Sequence, residues 1–214
     1  MKKILILFYL VLFSLLIESR NLYAMDEERV QQYRSIKINT SNQRKKIEFE
    51  RLFGESVVIE TQDLKEPDAD SETVVIYKAS QFEGVFVDDT SLEIEGEDVG
   101  VNVKWLIDSL DFHIGKNATF ISLLGIRLKH KVFLYRGEVQ GQIVASRGIR
   151  EGFLSYFQPK GSDKTLGECL ALENCVPDGY NARYYAVQAY KEGRIYQDKM
   201  YDPIEVWAGK FQNE

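Results

Sequence analysis

The sequence predicts an α/β domain, a mixed twisted sheet with flanking helices, and three observations predict it. Strand-like and helix-like patterns alternate from residue 35 to residue 87. From Ala118 to Val144 β-branched and aromatic residues crowd together, the mark of neighbouring antiparallel strands. The 214-residue chain is 44% apolar and 12% aromatic, which suffices for one domain with its own core. Alternation followed by clustered strands is how an α/β mixed sheet reads.

In chain order, Ser35 to Thr40 reads as a strand. Asn42 to Phe53 reads as a helix with Ile47, Leu52 and Phe53 as apolar positions and Gly54 as its stop. Val57 to Glu60 is a second strand. After an acidic loop containing Pro67, Ser71 is placed to cap a helix running to about Phe82. Val85, Phe86 and Val87 form a short buried strand that stops at Asp88-Asp89. Asn102 starts a helix through Trp105, Leu106 and Leu110. Three antiparallel strands fit between Ala118 and Val144, with turns near Lys129 and Gly137. A last helix runs from about Asn181 to Lys191 and stops at Gly193. The expected organisation is residues 1–24 as a signal peptide, 25–34 as a polar lead-in, 35–194 as the domain and 195–214 as a C-terminal tail.

The first residues carry the three parts of an export signal. Lys2 and Lys3 are followed by an apolar run from Ile4 to Ile17, then a polar shoulder and Leu22-Tyr23-Ala24 before Met25. The run is short for a bilayer-spanning helix, and no cysteine follows it to carry a lipid. The expectation is a periplasmic or secreted protein with no stable membrane anchor once the signal is cleaved. If Met25 is the true start, the protein is cytoplasmic instead. In an oxidising compartment Cys169 and Cys175 are placed to close a small loop; the other reading is two separate buried thiols.

A formal net charge of −6 argues against a general nucleic-acid binder, which needs a basic face. Two histidines and two cysteines leave little material for a zinc site or a histidine-dependent triad. Polar groups do gather where strands stop, the place where α/β folds hold ligands. Thr40-Ser41-Asn42-Gln43-Arg44-Lys45 is a strand feeding a helix, whose free amides and Lys45 suit an anion. Its plainer reading is a capped helix with Lys45 and Glu48 paired at helical spacing. Asp88-Asp89 are adjacent carboxylates that repel each other, and a bound Mg²⁺ with its taste for oxygen would offset them. An ordinary acidic turn reads the same way. Glu66 and Lys78 flank the helix between these two places.

In this order the pieces resemble one family. Thr40-x-Asn42-x-x-Lys45-x-x-Glu48 is similar to the T-G-N-x-x-K-x-x-E opening of the inosine triphosphate pyrophosphatases. Asp63-Leu64-Lys65-Glu66, Lys78-Ala79 and Val87-Asp88-Asp89-Thr90-Ser91-Leu92 follow, the last similar to the family's D-D-S-G-L. Val103-Lys104-Trp105-Leu106, Tyr135-Arg136-Gly137, Gly141-Gln142-Ile143-Val144, Arg147-Gly148, Phe157-Gln158-Pro159-Lys160-Gly161 and Lys164-Thr165 continue the likeness over roughly residues 35–190.

The resemblance implies a substrate cleft and hydrolysis of a nucleoside triphosphate between its α- and β-phosphorus, giving monophosphate and pyrophosphate with Mg²⁺ required. By position, Thr40, Asn42, Lys45 and Lys78 would hold phosphates. Thr90, Phe153 and Arg183 would complete the substrate contacts. Glu66 and Asp89 would hold the metal, with Asp89 also the base for the attacking water and Asp88 its neighbour. A homodimer is the common family assembly. Departures fall mainly on the side that reads the base: Leu154 replaces a carboxylate, Pro177 a lysine and Ala182 a histidine, while Ser41 replaces a glycine. The expectation is therefore retained pyrophosphohydrolase chemistry on non-canonical purine nucleotides with base selectivity altered. The alternatives are an exported, catalytically degenerate homologue that serves in binding, and a phosphatase acting on other phosphorylated metabolites.

Overall fold

In the computed structural model, residues 36–54, 57–62, 64–97, 107–200 and 207–212 are described. The signal and lead-in at 1–34, Asp63 and the helix start at Asn102 with Trp105 and Leu106 lie outside them. Strand β1 (Ile36–Asn39) lies parallel to β3 (Val85–Ile94), with Lys37 opposite Val85 and Ile38 opposite Phe86. On β1's other side is β2 (Val57–Glu60). From β3 the sheet continues antiparallel through β4 (Asn117–Leu128) and β5 (Lys131–Ile143). β6 (Phe157–Pro159) and β7 (Gln197–Met200) both pair with β5, near its two ends.

Four helices flank this sheet among the described residues. Helix α1 (Gln43–Phe53) starts where Asn42 Oδ1 accepts from the amides of Arg44 and Lys45, and it ends at Gly54 with φ +93°. Helix α2 (Ser71–Ser80) is capped by Asp70 rather than by Ser71. A capping box joins Thr165 and Glu168 at the head of α3 (Leu166–Glu173), which the sequence reading missed. Asn181 caps α4 (Ala182–Lys191). These caps each satisfy amides that the first turn leaves unpaired.

Each face of the sheet has its own apolar layer. Val75, Ile76 and Ala79 of α2 pack on Val87, Ile121, Leu123, Val132 and Leu134. Here Gly125 matters: a Cβ on it would sit 2.4 Å from Val75 Cγ1. On the opposite face Leu92, Phe120, Val139, Phe153, Phe157, Leu166 and Ala182 form the larger cluster. Each such fully buried side chain contributes about 1.5–3 kcal/mol.

Two sequence expectations fail here. Gly137 makes no turn, and Ala118 to Val144 holds two long strands rather than three, with a single tight turn near Lys129 at φ +55°. The glycine is needed because α4 lies directly on β5: a Cβ at 137 would be 2.0 Å from the Ala182 carbonyl oxygen. Nor does β3 stop at Asp88. It runs through both aspartates to Ile94, because β4 pairs with it along its length. The described residues of the C-terminal stretch also join the sheet domain, through β7 and through Phe211, which bridges to Pro67.

Candidate active site

A strand alternates its side chains between faces, so Asp88 and Asp89 point apart. Asp88 turns toward α1 and α4, where it meets Lys45 and Arg183. Asp89 turns toward α2, where its Oδ2 accepts from the Ser71 hydroxyl at 2.9 Å. The mutual repulsion expected of two adjacent carboxylates is relieved within the protein itself. Backbone geometry separates them, and each has its own partners.

On the α1/α4 face the charges interlock. Lys45 Nζ lies 3.2 Å from Asp88 Oδ1 and 3.1 Å from Oδ2. Arg183 donates from Nε and Nη2 to Asp88 Oδ2, at 3.2 Å each, and from Nη2 to Thr90 Oγ1 at 3.1 Å. Its Nη1 pairs with Glu48, which also accepts from Asn181. The guanidinium lies over the Phe49 ring at 5.3 Å. Asp88 is only 3% exposed, and burial alone would raise its pKa. The positive charges of Lys45, Arg183 and Lys78 outweigh that and bring it down to about 2. Asp88 is thus a fixed anion that holds two cations, not a group that takes up a proton near neutrality.

On the other side of β3, Lys78 of α2 reaches Glu66 Oε1 at 3.0 Å and the Asp88 carbonyl at 3.1 Å. Burial would lower the Lys78 pKa, but the negative charges of Glu66, Asp89 and Asp88 carry it up. For Asp89 the balance runs the other way. Burial raises its carboxyl above the ordinary value, against the opposing pull of Lys78, Lys45 and the Ser71 hydroxyl, and the Glu66 charge raises it further. Of the two aspartates, Asp89 is therefore the one whose proton affinity suits a base.

The donor set around Lys78 also fits a hard divalent cation. Glu66, Asp89 and Ser71 offer oxygen, and the Lys78 ammonium already places a positive charge between the acids. Among the described residues no three His, Cys, Asp or Glu side chains gather as a closed metal cage. Mg²⁺ suits such an open arrangement, since it binds through one or two carboxylates and completes its shell with water and substrate phosphate.

On the α1/α4 face of β3, beside Lys45, Thr90 and Arg183, opens a cleft of about 560 Å³. Asn42, Lys45, Glu48, Thr90 and Arg183 line one wall, and Phe120, Phe153, Leu154, Leu170 and Val176 line the other. An ion pair between Arg44 of α1 and Glu151 of the opposite loop joins the two sides. Phe153 is 5% exposed and set edge-on to Phe120, with centroids 5.2 Å apart. Of the three positions expected on the side that reads the base, Leu154 lines the cleft. Pro177 precedes a 3-10 turn (Asp178–Tyr180), and Ala182 is fully buried in the core.

The structure thus brings Lys45, Thr90 and Arg183 together around Asp88, with Lys78, Glu66 and Asp89 on the far side of the same strand. Phe153 stands across the cleft. Thr40 and Asn42 sit at the head of α1 in another capacity: Thr40 Oγ1 accepts from the Asn42 amide at 3.2 Å, and Asn42 is the helix cap. Because that cap consumes the Arg44 and Lys45 amides, those two are not left for an anion. Lys45 pairs with Asp88, not with Glu48. Arg183, expected as a substrate contact, spends its donors on Asp88, Glu48 and Thr90. Sequence reasoning missed Arg183 and Asn181 as partners of Glu48, and Ser71 as a partner of Asp89. No local pattern announces contacts that span 133 and 135 residues of chain. Cys169 is buried and Cys175 is exposed on the cleft wall, and both thiols are free.

A mixed α/β sheet carrying this lysine–carboxylate–arginine cluster beside a cleft defines a domain of the inosine triphosphate pyrophosphatase type. The model of the Ham1 family matches residues 36–192, and the chain belongs to that family, whose members act on nucleotides and in general depend on a divalent metal. Among solved structures it is similar to the Ham1 protein of Staphylococcus aureus, with 21% identity and a TM-score of 0.57 over 73% of this chain and 98% of that one. It is also similar to a HAM1 protein from Coxiella burnetii, with 16% identity and a TM-score of 0.59 over 74% of this chain and 98% of that one. At these identities the two structures show a shared fold. No curated protein matches the chain.

Proposed function

We propose that the protein hydrolyses nucleoside triphosphates to monophosphate and pyrophosphate, with Mg²⁺ held by Glu66 and Asp89 and with weakened discrimination between bases. The observation that carries this reading is that one stretch of β3 gathers Lys45 and Asp88 on its cleft-side face and Lys78, Asp89 and Glu66 on its other face. When bound, the metal would neutralise phosphate charge and lower the pKa of water.

The chain's own residues do the rest. Lys45 and Lys78 approach Asp88 from opposite sides of β3, one at its carboxylate and one at its carbonyl; in this reading a chain of phosphates would meet Lys45 from the cleft and Lys78 from the α2 side. Phosphoryl transfer needs such positioning and charge neutralisation more than covalent help. Asp89, with its raised proton affinity and a hydrogen bond from Ser71 that orients it, takes the proton of the attacking water. Asp88 and Arg183 keep Lys45 and the end of α1 in place.

Base selectivity is the weaker half of the reading's machinery. A hydrogen bond to a base edge gives strong discrimination, and the far side of the cleft is mainly apolar, with Phe120, Phe153, Leu154, Leu170 and Val176 beside fewer polar groups, Glu151, Asn174 and Cys175. Apolar contact and stacking accept many bases.

The test is pyrophosphate release from a panel of nucleoside triphosphates with Mg²⁺. Asp89→Asn should lower turnover by about 10²–10⁴-fold, the range of a lost general base. Full binding with undiminished turnover in that variant would refute the catalytic reading. Free phosphate as product would favour a phosphatase instead. Export belongs to the same proposal: a chain translated from Met1 should be recovered outside the cytoplasm, beginning at Met25 after cleavage behind Ala24, and Met25 found on a cytoplasmic protein would mark an internal start instead. A retained Met1 would contradict it, and size-exclusion mass measurement would decide the proposed homodimer.

A further inference from the structure

The loop that carries Glu66 has little structure of its own. Between β2 and α2 it forms neither helix nor strand, and its pairing at Pro67 is with the far end of the chain. There Phe211 bridges to Pro67, flanked by two backbone hydrogen bonds: Asp68 N–H to the Lys210 carbonyl and Gln212 N–H to the Glu66 carbonyl, each 2.9 Å. The Gln212 side chain adds a bond to the Pro67 carbonyl at 3.1 Å. Trp207 Nε1 donates to the Lys210 carbonyl at 2.7 Å and fixes the turn that delivers these groups. The Phe211 ring then packs edge-on against Tyr77 at 5.9 Å, with Lys65 Nζ 5.3 Å from its centroid. Tyr77 precedes Lys78, the residue that holds the Glu66 carboxylate from inside.

We infer that residues 207–212, which lie beyond the 36–192 matched by the family model, are a positioning element for the metal site. They hold the Glu66 backbone on its outer side while Lys78 holds its carboxylate on the inner side. The inference rests on Glu66 being a metal ligand, and its physical basis is entropy. Ordering each loop residue costs about 1–2 kcal/mol. A carboxylate on a free loop would meet that cost whenever it bound a cation, whereas a clamped one has already met it in folding. Groups that orient a ligand from behind typically change metal affinity by about 10–100-fold when removed.

The experiment uses the full chain, Phe211→Ala and a chain ending after Val206, with Mn²⁺ as probe and no nucleotide present. Mn²⁺ affinity, read by electron paramagnetic resonance, should fall about 10–100-fold in both variants, and Phe211→Tyr should restore it. Amide exchange should quicken in residues 64–70 and stay unchanged in β3, β4 and β5. In steady state the metal concentration for half-maximal rate should rise, while kcat at saturating metal holds. If either variant fails to fold, Gln212→Ala, which removes the bond to Pro67, serves in its place with the same directions expected.

Mn²⁺ affinity within about twofold of the full chain would overturn the inference. So would unchanged exchange in residues 64–70. A full chain that binds no Mn²⁺ sinks the metal reading of Glu66 itself, and with it the tail's part in metal binding. Exchange in residues 64–70 would then still report whether the clamp exists as a structural one.

Discussion

On one wall of the cleft, polar groups are each held more than once. Arg183 meets Asp88, Glu48 and Thr90, Asp88 meets two cations, and Glu48 meets two donors. On the other wall Phe120, Phe153, Leu154, Leu170 and Val176 present mostly carbon to the same space, with Glu151, Asn174 and Cys175 as its few polar groups. A cross-linked charge network cannot yield to the ligand without leaving a buried charge unpaired. An apolar wall gives up little when the ligand's edge changes, because dispersion and burial carry no direction. Chemistry that needs fixed charge therefore belongs at the first wall, and tolerance belongs at the second.

The largest effect is expected where the network is densest. Arg183→Met keeps the length of the side chain and removes the guanidinium, which leaves Glu48 without its charge partner and Asp88 with Lys45 alone. Breaking a buried pair in this way costs about 3–5 kcal/mol, measurable as a fall in the urea midpoint. Arg183→Lys should recover part of it, since an ammonium cannot reach three acceptors in the guanidinium's geometry. A loss below about 1 kcal/mol, the range of an exposed pair, would show that this wall is solvated and loosely held.

A smaller effect should follow from changing the second wall. Leu154→Asp places a carboxylate beside Phe153 in the cleft lining. A hydrogen bond from a charged group to a base edge contributes about 1.5–3 kcal/mol. The spread of kcat/KM across nucleoside triphosphates that differ at that edge should therefore widen about tenfold or more. An unchanged spread would place the base somewhere other than against Leu154.

The first wall was partly legible in the sequence, and the reason is local. Asn42, Lys45 and Glu48 share a helix turn, and Asp88-Asp89 follow a run of buried residues, so spacing alone flags them. Their connections were not legible. That Lys45 chooses Asp88 over Glu48 is decided by where α1 lands on the sheet. That Asp88 and Asp89 part company is decided by β3 continuing to Ile94, which depends on β4 as partner. Gly137 misled for a related reason. A glycine inside an alternating run reads as a turn, yet here it makes room for the backbone of α4. The C-terminal segment carried no pattern at all, since its hydrogen bonds to the Glu66 loop use main-chain groups that every residue has.

The smallest effect concerns the helices that carry the two lysines. Asn42 caps α1 just before Lys45, and Asp70 caps α2, whose last turn carries Lys78, so one cap titrates and the other does not. Asp70 accepts from the Thr73 amide and hydroxyl at 2.8 Å each. Burial would raise its pKa, but those bonds to the charged form lower it below the ordinary carboxylate value. For an acid whose folded pKa is depressed, the stabilisation is complete above the unfolded value, about 4. It is then lost as pH falls through the folded one. Asp70→Ala should cost about 1 kcal/mol at neutral pH and less below pH 4, while Asp70→Asn, an uncharged cap of similar shape, should cost only a few tenths and show no such change. A wild-type advantage over Asp70→Ala that stayed level from neutrality to below the folded pKa would mean the carboxylate charge adds nothing to the cap. The two lysines would then stand on helices held in the same way.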